Sequence, residues 1–207
     1  VSDGSNNDEF GYSVSISGDH IVVGARYEDP GGGNTNKGSA YVFSLSGGTW
    51  TQTAKLTASE GAQDDNFGSS VYISGDNIVI GAPNHDHASA CGSGSGAAYV
   101  FTKPGGGWTD MTETAELNAS DCAAGDNFGY SVSISGDNII VGSPYDDDNG
   151  TDSGSAYIFS LSGGVWTETD KLTPSDGAAG DNFGFSVSIS GDNVVVGSPY
   201  DDDCGAD

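Results

Sequence analysis

One stretch recurs four times along the chain. Residues 126–144 read DNFGYSVSISGDNIIVGSP, and the pattern returns at 181–199, at 65–83 and, more loosely, at 8–26. Its phenylalanines, Phe10, Phe67, Phe128 and Phe183, lie 57, 61 and 55 residues apart. Repetition at a period of this size means an array of one supersecondary unit, in which each unit covers the apolar face of the next.

Each unit reads as four strands. In Tyr130–Ser135 large residues alternate with serines, the period of a strand with two different faces. Gly136-Asp137 suits a two-residue type II′ hairpin turn. The apolar, β-branched run Asn138–Val141 follows and ends at Gly142-Ser143-Pro144, where proline removes a ladder donor. The third strand is Ser155–Ser160, with counterparts at 41–43 and 99–101. The fourth begins at a tryptophan (Trp50, Trp108 or Trp166) after a glycine pair. In the first unit Trp50, Ala54 and Leu56 share one face while Thr51, Thr53 and Lys55 share the other, as on an exposed edge. The tryptophans are expected to pack between units rather than form a sugar platform.

Four antiparallel strands per repeat, no helical periodicity and tight glycine turns predict an all-β chain. It would be a β-propeller with one four-stranded antiparallel blade per repeat. About three and a half repeats are visible, at 8–64, 65–125, 126–180 and, partial, 181–207. An open solenoid of hairpins is the structural alternative. The propeller places every connection from strand two to three, and from strand four to one, on one face. The chain has no initiating Met and stops after the second strand of a unit, so it is expected to be a mature or excised segment whose last unit is completed by further repeats or by a second chain. The strand at 194–196 is expected to pair with polypeptide outside its own half-blade, since open apolar edges are sticky.

These residues resemble the FG-GAP repeat, the blade unit of the integrin α-subunit propeller. Phe128-Gly129 matches the FG element. Gly81-Ala82-Pro83 matches GAP, Gly142-Ser143-Pro144 and Gly197-Ser198-Pro199 are close variants, and Gly24-Ala25-Arg26 departs at its last position. The resemblance spans essentially the whole chain and implies an extracellular propeller used in binding and adhesion. The family's calcium loops sit in the hairpin between strands one and two, which here is only Gly-Asp. Those residues therefore do not carry over, and the short-hairpin version looks like repeats of large secreted surface proteins.

Thirty acidic residues against five basic ones give a net charge of −25. That excludes nucleic acid and anionic membrane as partners, because both need Lys and Arg. No apolar run is long enough to insert into a membrane. The expected partners are another protein or neighbouring copies of the chain itself, with glycans as an alternative. The expected location is extracellular or at the cell surface. Cys91, Cys122 and Cys204 lack the spacing of a zinc ribbon. The first two fall in loops on the same propeller face and are expected to pair, which leaves Cys204 odd. Asn118-Ala119-Ser120 and Asn149-Gly150-Thr151 are N-glycosylation sequons in surface loops.

Acidic loops carry the strongest chemical signal. Asp146, Asp147, Asp148 and Asp152, with Asp181 from the next connection and Asp201 and Asp203 from the last loop, offer the hard oxygen ligands that calcium needs. The bland alternative is a solvated loop in which Asp and Asn make turns. His85-Asp86-His87 with Cys91 suggests a transition metal, but its spacing is irregular and other repeats lack the ligands. No serine stands out as a nucleophile, because serines line strand faces at equivalent positions in every unit. The sequence reads as a non-enzymatic propeller with a structural or adhesive role. A carbohydrate-binding propeller and a filament or surface-layer subunit remain the alternatives.

Overall fold

In the computed structural model, residues 4, 7–29, 35–87 and 91–202 are described. They contain fourteen strands and no helix. The first blade is β1 (Phe10–Ser17), β2 (His20–Ala25), β3 (Ser39–Ser46) and β4 (Thr49–Leu56). The second is β5 (Ser70–Ser74), β6 (Asn77–Ala82), β7 (Ala97–Thr102) and β8 (Ala115–Leu117). The third is β9 (Ser131–Ser135), β10 (Asn138–Ser143), β11 (Ser155–Ser162) and β12 (Val165–Leu172). A hairpin, β13 (Ser186–Ser190) and β14 (Asn193–Gly197), begins a fourth. Every sheet is an antiparallel meander in chain order. The blade reading therefore holds, with three four-stranded sheets and one two-stranded one.

The tight hairpins form where Gly-Asp was expected to turn the chain. Gly18, Gly75, Gly136 and Gly191 take φ of 55° to 58°, a conformation that glycine reaches without a Cβ penalty. Alternation then sorts each first strand. Val132 and Ile134 bury against Val79, Val100 and Leu117 of the second blade, joined by Ile139 and Val141. The serines face the other way and bind the next blade. Ser131 donates to Gly184 O at 2.8 Å, and Ser133 and Ser135 accept the N–H groups of Ile189 and Gly191. Ser13 and Ser70 repeat the first of these bonds on Gly68 O and Gly129 O. The polar half of the strand pattern is thus a set of staples between blades.

The second unit departs from the expected plan. Trp50 and Trp166 lie in β4 and β12, but Trp108 lies before the shortened β8. Pro104 has no N–H to donate, and three glycines follow it. Instead of forming a long edge strand, the segment docks on the first blade. Met111 forms a parallel bridge with Leu56, and Asp110 accepts the Lys55 N–H at 2.8 Å. Trp108 joins the apolar cluster of the first two blades and Trp166 packs partly against that of the second and third, as expected between units, whereas Trp50 is exposed.

The two ends of the arc are bare. Phe10, Val14 and Ile16 are 45%, 65% and 64% exposed, whereas their counterparts Phe128, Val132 and Ile134 are buried. At the other end Val195 is 69% exposed where its counterpart Ile140 is buried. Among the described residues β14 pairs only with β13.

Candidate functional site

The loop face is built from two motifs that meet between blades. In Asp-Asn-Phe-Gly, the aspartate accepts an N–H three residues back. Ala62 donates to Asp65, Ala123 to Asp126 and Ala178 to Asp181, at 2.6 to 2.7 Å. The asparagine is left-handed, with φ of 53° at Asn127 and 54° at Asn182, a region that Asn tolerates better than most residues. Its amide reaches back to the proline carbonyl of the preceding blade, Asn127 to Pro83 and Asn182 to Pro144. The FG glycine then lies against the first glycine of that blade's GAP element. A Cβ on Gly81 would stand 1.9 Å from Gly129 O.

On this frame each blade carries a polar node below its loop between strands two and three. In the first, Lys55 Nζ lies 2.8 Å from Glu28 Oε1, and Ser39 donates to Glu28 Oε2. In the third, Lys171 Nζ lies 2.7 Å from Asp121, 3.0 Å from Asp146 and 2.5 Å from Asp148. The Tyr157 hydroxyl is 2.7 Å from Asp146 Oδ2 and 2.9 Å from Asp121 Oδ1. Burial alone would lower the Lys171 pKa, but its bonds to the three carboxylates outweigh that and raise it. Burial likewise works against the charged form of Asp121, and the ammonium and phenol beside it hold its pKa below the usual range. Asp126 is pushed up to about 6, chiefly by burial, with the Ala123 N–H opposing and the charges of Asp146 and Asp147 adding to the rise.

The acidic residues named from sequence therefore divide. Asp146 and Asp148 come together, joined by Asp121 rather than by Asp152 or Asp181, and Lys171 places its ammonium among them. Asp147 accepts the Asp152 N–H, closing the loop on itself, while Asp181 closes its own turn. Where the fourth unit would continue, Asp201 is exposed and Asp203 lies outside the described residues, as does Cys204. The gathered carboxylates are groups that could hold a cation. In the native node the Lys171 ammonium lies among these carboxylates. Sequence reasoning missed Lys171 because it lies 23 residues beyond Asp148. The strand register was the available signal, since Tyr157 pairs with Lys171 as Tyr41 pairs with Lys55.

In the second blade the same positions carry different chemistry. His85 Nδ1 lies 3.0 Å from Asp65 Oδ2, and His87 Nε2 lies 3.4 Å from Glu116 Oε1 and 2.6 Å from Asn118 Oδ1. Cys91 is bonded to Cys122, tying this loop to the connection into the third blade. Asn118 is half-buried and donates to Glu116, whereas Asn149 is exposed.

A cleft of about 530 Å³ opens where the four hairpins converge on the loop face. Tyr12, Arg26, Asn84, Tyr130, Tyr145 and Phe185 line it. The Arg26 guanidinium sits 3.7 Å from the Tyr12 ring centre and 4.5 Å from that of Tyr27, with Glu9 bonded to its Nε.

Comparison with known proteins places this geometry. The FG-GAP repeat family matches residues 1–43, 50–101, 111–159 and 166–207. The chain belongs to the FG-GAP repeat family. Among curated proteins it is similar to integrin alpha-7 of Rattus norvegicus, 29% identical over 134 residues, which covers 60% of this chain and 11% of that protein. Among solved structures, a Bacteroides uniformis chain named as a 6-phosphogluconolactonase superposes with a TM-score of 0.57 at 11% identity. The match covers 87% of this chain and 47% of that one. The WD40 domain of Neurospora crassa Pan2 gives 0.47 at 7% identity, covering 87% and 41%. The chain thus spans a small part of the integrin subunit and less than half of either solved chain. The lactonase likeness concerns the fold alone.

Proposed function

We propose that the chain is a secreted, non-enzymatic propeller segment that binds a protein partner through the cleft of its loop face. The observation that carries this reading is where the repeats differ. Frame residues hardly change between units, yet the position after FG is Tyr12, Ser69, Tyr130 and Phe185, and all four line the one cleft. Variation gathered at one concave site on a constant scaffold is the pattern of a binding surface. The cleft offers aromatic faces and Arg26, in a chain with only five basic residues, so it favours a partner presenting an acidic group beside apolar surface. The Cys91–Cys122 bond supports an oxidising, extracellular compartment. Membership of the integrin-like family supports adhesion.

The chain, expressed through a secretory pathway, should be probed against a panel of extracellular-matrix proteins and a glycan array. A protein ligand should be found, and Arg26→Glu should weaken it at least about tenfold while keeping the β circular-dichroism spectrum. Binding only on the glycan array would replace this reading with the carbohydrate one. Protein binding indifferent to Arg26→Glu would remove the cleft from it.

A second reading, end-to-end assembly, is favoured by the bare faces at Phe10, Val14 and Ile16 and at Val195. Inside the array, each face of the first kind covers one of the second. Two copies can therefore join head to tail, the geometry of rings and filaments. Solution mass should rise with concentration, and Ile16→Lys or Val195→Lys should hold the chain monomeric. A wild-type chain that stays monomeric at all concentrations would dismiss this mode.

A further inference from the structure

We propose that His85, His87 and Glu116 of the second blade hold a divalent transition-metal ion of the zinc class. One ligand atom from each lies within 4.8 Å of the others. Two imidazoles and a carboxylate are a ligand set that zinc accepts with its fourth position left to water. His85 is already prepared for this role. Its Nδ1 faces Asp65 Oδ2 at 3.0 Å, and both residues are buried, so the pair fixes the tautomer that leaves Nε2 free. A carboxylate behind a histidine is the usual outer support of a metal-bound imidazole. Ligands at about 2.0–2.2 Å from zinc stand about 3.3–3.5 Å apart in a tetrahedron. His87 and Glu116 are both partly exposed, and an ion would take the place of the 2.6 Å contact between His87 Nε2 and Asn118 Oδ1.

A second observation points to a ligand at the same place. The Tyr99 hydroxyl is buried and has no hydrogen-bond partner. Its counterpart Tyr157 reaches Asp146, the residue that stands where His85 stands in the second blade. The Tyr99 ring lies 6.1 Å from that of His85, with Glu116 opposite it in the strand ladder. A buried phenol without a partner costs free energy, and a metal-bound water would satisfy it. Comparison of the nodes explains why the cation must come from outside. The first and third nodes carry their own, Lys55 and Lys171. In the second, the lysine position is Glu116, so Asp65 and Glu116 face the two histidines where the other nodes place a lysine. The disulfide occupies Cys91, which leaves the histidines and Glu116 as the ligands.

The test is a zinc titration of the whole chain by calorimetry, after treatment with chelator and dialysis. One ion per chain should bind, and millimolar calcium should not compete, since imidazole favours zinc. His87→Ala and Glu116→Gln should each weaken binding at least about tenfold while keeping the β circular-dichroism spectrum. Asp65→Asn, which touches no metal, should cost about 10- to 100-fold. Tyr99→Phe should weaken binding while leaving one site. His20→Ala, remote from the node, should change nothing. Absence of a single site, or affinity unchanged in both His87→Ala and Glu116→Gln, means an adventitious ion only and overturns the proposal.

Discussion

Gly81→Ala is expected to lower the melting temperature by roughly 6–12 °C, the equivalent of about 3 kcal/mol in a chain of this size. A methyl group at Gly81 would stand 1.9 Å from Gly129 O, 2.8 Å from Gly129 C and 2.4 Å from Ser70 Oγ. The serine can turn away, but the Gly129 carbonyl cannot. It belongs to the FG turn of the third blade, where Gly129 itself sits at φ 89° and donates to Gly142 O. Relief therefore requires the second and third blades to separate, which opens the cluster around Val79, Val132 and Ile134. The control is Gly75→Ala. That hairpin glycine has open space around it and only a left-handed φ of 58°, so its alanine should cost about 1–2 kcal/mol. Equal melting temperatures for the two variants would mean that the inter-blade contact tolerates a methyl group.

The same contact explains how much of the fold could be read from residues alone. Blade number, strand order and hairpin turns follow from period, alternation and Gly-Asp, because these are local rules. The sense of the motifs is not local. In Asp-Asn-Phe-Gly the aspartate closes a turn, the asparagine reaches the previous blade's proline carbonyl, the phenylalanine fills the core and the glycine admits the neighbouring backbone. Three of those four roles involve partners far away in sequence. Loss of the long edge strand in the second blade was hidden for the same reason. Trp108 and Met111 are held by β4 of the first blade, and tertiary contact overrides the local pattern.

Reading of the polar nodes failed in a different way. Clustered aspartates were visible, but charge runs along the chain say nothing about which opposite charge the fold brings in. The acidic loop and the lysine are joined only through the ladder between β11 and β12, where a β-bulge between Ile158 and Phe159 sets the register that lands Lys171 beside Tyr157. Once nodes are aligned through that ladder, their differences become informative. Glu28 with Lys55, and Asp146 with Lys171, are one design in two forms, while His85 with Glu116 exchanges the charges.

That comparison yields the second large effect, for Lys171→Ala. Asp146 is 3% exposed and would lose its only ammonium partner while Asp121 and Asp148 remain close by. Removing one member of a buried ion pair leaves an uncompensated charge and costs about 3–5 kcal/mol. The more exposed partners add little to this, since solvent screens them. Truncation also clears the space at the centre of three carboxylates, the hard oxygen ligands that calcium takes. Calcium binding only the folded chain stabilises it by mass action. Millimolar calcium should therefore recover much of the lost melting temperature in Lys171→Ala and do little for the native chain at this node, whereas Lys171→Arg should stay near native without calcium. The decisive measurement is a set of melting curves in calcium and in chelator for the three proteins. A native chain that gains as much from calcium as Lys171→Ala would show that the ammonium does not hold the centre of the node. A variant that melts like the native chain in chelator would show that Asp146 does not depend on it.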